Sequence, residues 1–192
     1  IPAATADLTY LSDAYGVYEN DLAGTPGVVG SRRLAGGISP AEAQTILAGV
    51  RRGGTLVGEF NILSAPTDPA AADRLGRAFG VTASGWVGRH FEYLELTPDL
   101  PPWLPVLWQR QTGTRWQFTG PGYVFVSDNG SLVVLREGID TATQGLRIRV
   151  DEAHADEFGT DRNQGFDSWV EIVAPRAGAE VVASFDLDLT AS

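Results

Sequence analysis

The chain predicts an α/β fold with a mostly parallel sheet and a β-rich C-terminal extension. Three observations carry this. Strand-like and helix-like segments alternate through the first half. Thr55 to Phe60 is a near-continuous apolar run that follows a capped helix, and such runs suit parallel strands covered on both faces. In the second half, short β runs succeed one another, with Asn129-Gly130 as a hairpin turn, which predicts an antiparallel extension. At 192 residues the chain reads as a single domain, 1–192, with a full core.

Ala6 to Ser12 alternates as a strand, with Leu8, Tyr10 and Ser12 on one face. Asp13 to Asp21 follows as a loop rich in carboxylates and tyrosines. Ser39, Pro40 and Glu42 stand as N-cap, N1 and N3 of a helix with a capping box. Ala43, Ile46, Leu47 and Val50 give that helix an apolar face, and Gly53 ends it. The strand Thr55–Phe60 comes next and is expected at the centre of the sheet. Asp68 and Pro69 open a second helix, which Gly80 closes. Val81 to Val87 reads as a short strand, and Gly88 to Glu92 as the loop after it. Pro101 to Gln111 is a helix that turns Trp103, Leu104, Leu107 and Trp108 inward, with Pro105 confined to its first turn. Gly122–Ser127 and Ser131–Arg136 flank the Asn-Gly turn. Gly145–Val150, Ser168–Val173 and Ala179–Leu189 are further strands, and residues 151–165 form an exposed acidic loop.

The formal net charge is −10, and all fourteen basic residues are Arg. Nucleic-acid binding needs clustered positive charge, so no nucleic-acid partner is expected. No apolar stretch approaches the roughly 20 residues of a membrane span. The chain opens on Ile1 and holds no Met, so it reads as a fragment, and any membrane attachment would use a segment outside it. The absence of Cys removes disulfides, thiolate metal sites and a Cys nucleophile.

Ligands of open α/β sheets bind outside the carboxyl ends of the strands. Glu59 and Asn61 stand at such an end, as a candidate acid/base or ligand-holding pair. Ser64 lacks a Gly-x-Ser-x-Gly setting and is a poor nucleophile. His90 and His154, the two histidines, lie apart, so neither a zinc site nor a catalytic triad is expected. Trp86 offers an aromatic face to a sugar, and Arg89 a fork for a carboxylate. The Gly36-Gly37 and Gly53-Gly54 pairs lack the phosphate-loop pattern, and no cofactor is expected.

Gly53-Gly54-Thr55-Leu56-Val57, a polar loop, and a helix ending in Arg74 to Val81 together resemble class I glutamine amidotransferase-like domains. The non-catalytic members, such as the middle domains of some β-galactosidases, are the most similar in pattern. Asp13-x-Tyr15-Gly16-Val17-Tyr18, Gly58-Glu59-Phe60-Asn61, Gly85-Trp86-x-Gly88-Arg89 and Trp116-x-Phe118-Thr119-Gly120-Pro121-Gly122 further resemble an uncharacterised group of bacterial envelope proteins. The resemblance implies a flavodoxin-like three-layer sandwich whose first βα unit precedes Ile1. It also implies an extracytoplasmic, membrane-anchored parent protein. Glutaminase activity is excluded, because the nucleophile of that reaction is a Cys.

The reading that follows is a binding or scaffolding domain rather than an enzyme. Asp13, Tyr15, Tyr18, Glu59, Asn61, Trp86 and Arg89 would converge on a glycan or other small polar ligand. Glu59 and Arg89 are expected to share one partly desolvated cluster. The alternative is a glycoside hydrolase pairing Glu59 with Asp13, Glu19 or Glu92. A third reading is an assembly partner with a large exposed apolar patch.

Overall fold

The computed structural model describes residues 6–19, 32–158 and 164–190. The chain forms two compact units. The first comprises residues 1–87, 127–129 and 170–179, and the second residues 88–126, 130–169 and 180–192.

In the first unit the local signals act as the sequence dictates. Helix α1 (Pro40–Arg51) starts at Ser39, whose hydroxyl accepts from the Glu42 amide while the Glu42 carboxylate accepts from the Ser39 amide. Helix α2 (Pro69–Phe79) is capped by Asp68 and closed by Gly80 in the left-handed conformation. Ala43 and Ile46 of α1 meet Ala71 and Leu75 of α2 in one core, joined by Ile38, Ile62 and Leu63. Strand β1 (Leu8–Leu11) pairs in parallel with β4 (Thr55–Gly58). Leu11 and Leu56 pack on the same core. Gly58 is required there, since a Cβ would stand 2.6 Å from the Phe79 ring.

The sheet is where the expectation fails. β1 and β4 form a two-stranded sheet of their own, so Thr55–Phe60 is an edge strand rather than a central one. It ends at Gly58, and Thr55, Val57 and Gly58 are exposed. The other paired strands run mostly antiparallel. β2 (Gly16–Tyr18), inside the stretch expected to be loop, pairs with β3 (Arg33–Gly36). Asn20 and Asp21 of that expected loop lie outside the described residues. The mostly parallel, flavodoxin-like three-layer sandwich is therefore not the fold.

Strand β5 supplies the physical reason. It runs from Val81 to Phe91, through the expected loop, and its first part alternates partly buried Val81 and Ala83 with exposed Thr82 and Ser84. That alternation belongs to a strand with one solvated face, the antiparallel habit. In the first unit, β5 has β10 (Val170–Pro175) beside it. In the second, its last part has β6 (Gly122–Ser127), which continues to β7 (Leu132–Arg136).

The second unit has its own core. Helix α3 (Trp103–Thr112) buries Leu104 and turns Trp103, Leu107 and Trp108 towards Phe91, Leu94, Leu100, Trp116, Val124 and Leu132. Pro105 lies in its first turn, as its missing N–H requires. β6 and β7 form the hairpin that Asn129-Gly130 announces. β8 (Arg147–Val150) pairs with β9 (Gln164–Gly165) and β11 (Ala183–Asp186), both antiparallel. The expected acidic loop instead holds a 3-10 turn, Glu152–His154, and helix α4 (Ala155–Phe158). Its residues 159–163 lie outside the described residues.

Candidate functional site

Beyond their ladder, β1 and β4 stay in step. The Glu59 amide donates to the Leu11 carbonyl at 2.9 Å, Asp13 to Phe60 at 3.0 Å, and Ala14 to Asn61 at 3.1 Å. Holding this path puts Asp13 at φ 44° and Asn61 at φ 61°. Asp and Asn are the non-glycine types that best tolerate the left-handed region. The backbone thus presents both side chains together, and Asn61 Nδ2 donates to Asp13 Oδ1 at 3.1 Å.

Glu59 gathers hydroxyls. Ser12 Oγ donates to Glu59 Oε2 at 3.1 Å. The Tyr10 hydroxyl also donates to Glu59, and this bond raises the phenol above its ordinary value, with some burial and the carboxylate charge adding to the rise. Tyr10, Ser12 and Glu59 share the outer face of the β1–β4 pair, where side chains alternate with period two. That face is open and partly apolar: Leu8 is 58% exposed, Tyr10 54% and Val57 37%. Tyr10 also borders a cavity of about 460 Å³ lined by Leu11, Gly37, Ile38, Glu42 and Ile46 among others. This volume lies within the range of small-molecule sites.

Of the seven residues singled out in the sequence, Asp13, Glu59 and Asn61 meet at this edge. Tyr15 follows two residues after Asp13 and is 62% exposed. Tyr18 lies in β2, opposite Arg33. Trp86 is not at a strand end but within β5, half-buried, its amide donating to Ser84 Oγ at 3.1 Å. Arg89 belongs to the second unit. Its guanidinium lies over the Phe91 and Trp169 rings. Glu59 is exposed rather than desolvated, because β4 is a solvated edge. Glu59 and Arg89 fall in different units, and each has partners within its own.

Two polar pairs had no signal in the sequence. Ser64, 2% exposed, donates to Glu171 Oε1 at 2.6 Å, and the Ile62 amide reaches Glu171 Oε2 at 3.3 Å. A hydroxyl so buried and engaged holds β10 to the 62–64 segment. His90 Nε2 lies 2.8 Å from Glu137 Oε2, and its ring packs against Tyr123 with centres 4.9 Å apart. Burial raises the Tyr123 phenol, against the Leu146 amide bond that its oxygen accepts. Tyr10 and Ser12 are a different omission. Their shared face was legible, and only their link to Glu59 was not.

Among the candidate second carboxylates for glycoside hydrolysis, Glu19 pairs with Arg32 at 2.7 Å. Glu92 falls in the second unit. Asp13 accepts from Asn61. Glu59 is exposed, beside the Ser12 hydroxyl. Among the described residues no group of three His, Asp or Glu is arranged to hold a metal ion, and no helix is long and apolar enough to cross a membrane. No family model, curated protein or solved structure matches the chain.

Proposed function

We propose that the chain is a non-catalytic binding module whose outer β1–β4 face recognises a carbohydrate. The observation that carries this reading is the row Tyr10, Ser12 and Glu59, tied by hydrogen bonds and continued by Asp13 and Asn61. A sugar presents apolar C–H faces and a rim of hydroxyls. An aromatic ring takes the former, and carboxylate, amide and hydroxyl side chains take the latter. The Tyr10 ring is exposed yet anchored through its hydroxyl, so little freedom is lost on binding. The two segments of the envelope-protein resemblance nearest this edge, Asp13 to Tyr18 and Gly58 to Asn61, supply Asp13, Glu59 and Asn61. An extracytoplasmic location, as that resemblance implies, would place the module among cell-surface glycans.

The test is a glycan-array screen followed by calorimetry on the best oligosaccharide. Tyr10→Ala and Glu59→Gln should each weaken binding about tenfold or more, which corresponds to about 1.4 kcal/mol. Melting temperatures should stay close to the parent. Binding that survives both substitutions, or an array with no bound glycan, would reject the reading. Release of reducing sugar by the parent protein and not by Glu59→Gln would favour the hydrolase.

A further inference from the structure

Among the described residues, the charges that border one cavity of the second unit have no partner. Arg89 and Phe91 are two residues apart on β5 and share a face. The Arg89 Cζ lies 5.0 Å from the Phe91 ring centre and 5.9 Å from that of Trp169. The two rings meet edge to face, 6.4 Å apart at 87°. A guanidinium laid on aromatic rings is fixed through its faces and keeps its N–H fork available. Among the described residues, no hydrogen bond or ion pair engages that fork.

Arg89 borders a cavity of about 420 Å³, also lined by Glu92, Thr97, Asp99 and Asp167. The three carboxylates are exposed. Among the described residues none has a hydrogen-bond or ion-pair partner. Thr97 adds a hydroxyl, Oγ1, that is shut from solvent with no hydrogen-bond partner. Structural ion pairs would have cancelled these charges against one another. Among the described residues, a cation laid on two rings and three carboxylates border one hollow without meeting.

We infer that this cavity binds a small zwitterion of the α-amino acid class. The ligand carboxylate takes the Arg89 fork, whose planar geometry suits bidentate contact. The ligand ammonium takes the carboxylates of Glu92, Asp99 and Asp167. Other ligands match only one side. A phosphate or dicarboxylate would bring net negative charge against three carboxylates. A metal ion or polyamine would leave the guanidinium unmatched. A neutral sugar would pair neither charge. The inference is independent of the carbohydrate reading, whose residues all lie in the first unit.

The experiment is isothermal titration of the whole chain with each of the common α-amino acids, up to about 10 mM, the range of weak but specific sites. Acetate and ethylamine carry the single charges as controls. At least one amino acid should bind saturably, and both controls at least about tenfold more weakly. Arg89→Gln should lower affinity about tenfold or more, and so should at least one of Glu92→Gln, Asp99→Asn and Asp167→Asn. These three carboxylates are exposed, and among the described residues unpartnered, so their substitution leaves folding intact. Glu59→Gln should leave this affinity unchanged. The inference is overturned if no amino acid binds, if acetate binds as tightly, or if affinity survives Arg89→Gln or all three carboxylate substitutions.

Discussion

Tyr10 and Glu59 make a pair whose electrostatics can be read directly. The carboxylate accepts a hydrogen bond from the phenol and opposes a second negative charge beside it, so Tyr10 ionises above its ordinary range. Glu59→Gln removes the charge. The Tyr10 step in an ultraviolet tyrosinate titration should therefore move down in pH, while Tyr123, raised by burial, keeps its own high step. The substitution sits at the surface and should alter stability by no more than about 0.5 kcal/mol. An unmoved Tyr10 step would mean that the pair does not form in solution. Gly37 is the opposite case. It holds φ 69°, and a Cβ there would run into the Pro66 carbonyl. Gly37→Ala should destabilise by about 1–3 kcal/mol, seen as a lower urea midpoint. The left-handed turns at Asp13 and Asn61 were latent in the sequence, since those residue types suit them. That they would face each other depends on the register of β1 against β4, which no local pattern states.

Helices were legible element by element because their signals are local. Ser39 with Glu42, and Asp68 with Pro69 and Gly80, mark their own ends within a turn. Ser39→Ala should cost about 1 kcal/mol. The Ser39 amide and then its hydroxyl hold the Glu42 carboxyl below its ordinary value. A depressed acid adds stability above its unfolded value and loses it as pH falls through the folded one. The deficit of Ser39→Ala should thus be full at neutral pH and shrink in acid, below the usual glutamate range. A deficit independent of pH would show that the Ser39 hydroxyl does not hold the Glu42 carboxylate, while the Ser39 amide, which the variant keeps, still can. Strands were legible as segments and illegible as neighbours. The hairpin β6–β7 announces itself through Asn129-Gly130, but β5 finds β10 far along the chain. Its alternation of Val81, Thr82, Ala83 and Ser84 spoke for a solvated face, and the helix before it suggested a parallel strand instead. Likewise Arg89 and Trp169 are brought together by folding alone.

At the scale of the whole molecule the chain builds two cores, one around Leu75 and one around Leu104, each side chain fully enclosed. Leu75→Ala and Leu104→Ala should each cost about 2–5 kcal/mol, measured by denaturant unfolding. A loss below about 1 kcal/mol would mean that the site collapses around the missing methyls. The β1–β4 pair, with only two strands and one covered face, stands at the other extreme. Amides held by so small a ladder exchange with solvent through local opening, far more often than the molecule unfolds. A ligand seated there closes that opening by mass action. Deuterium uptake at Thr55, Glu59, Asp13 and Ala14 should therefore be fast in the free protein and slow in proportion to occupancy. The four amides would then act as a built-in reporter, able to rank ligands for this face without a label or an assay of activity.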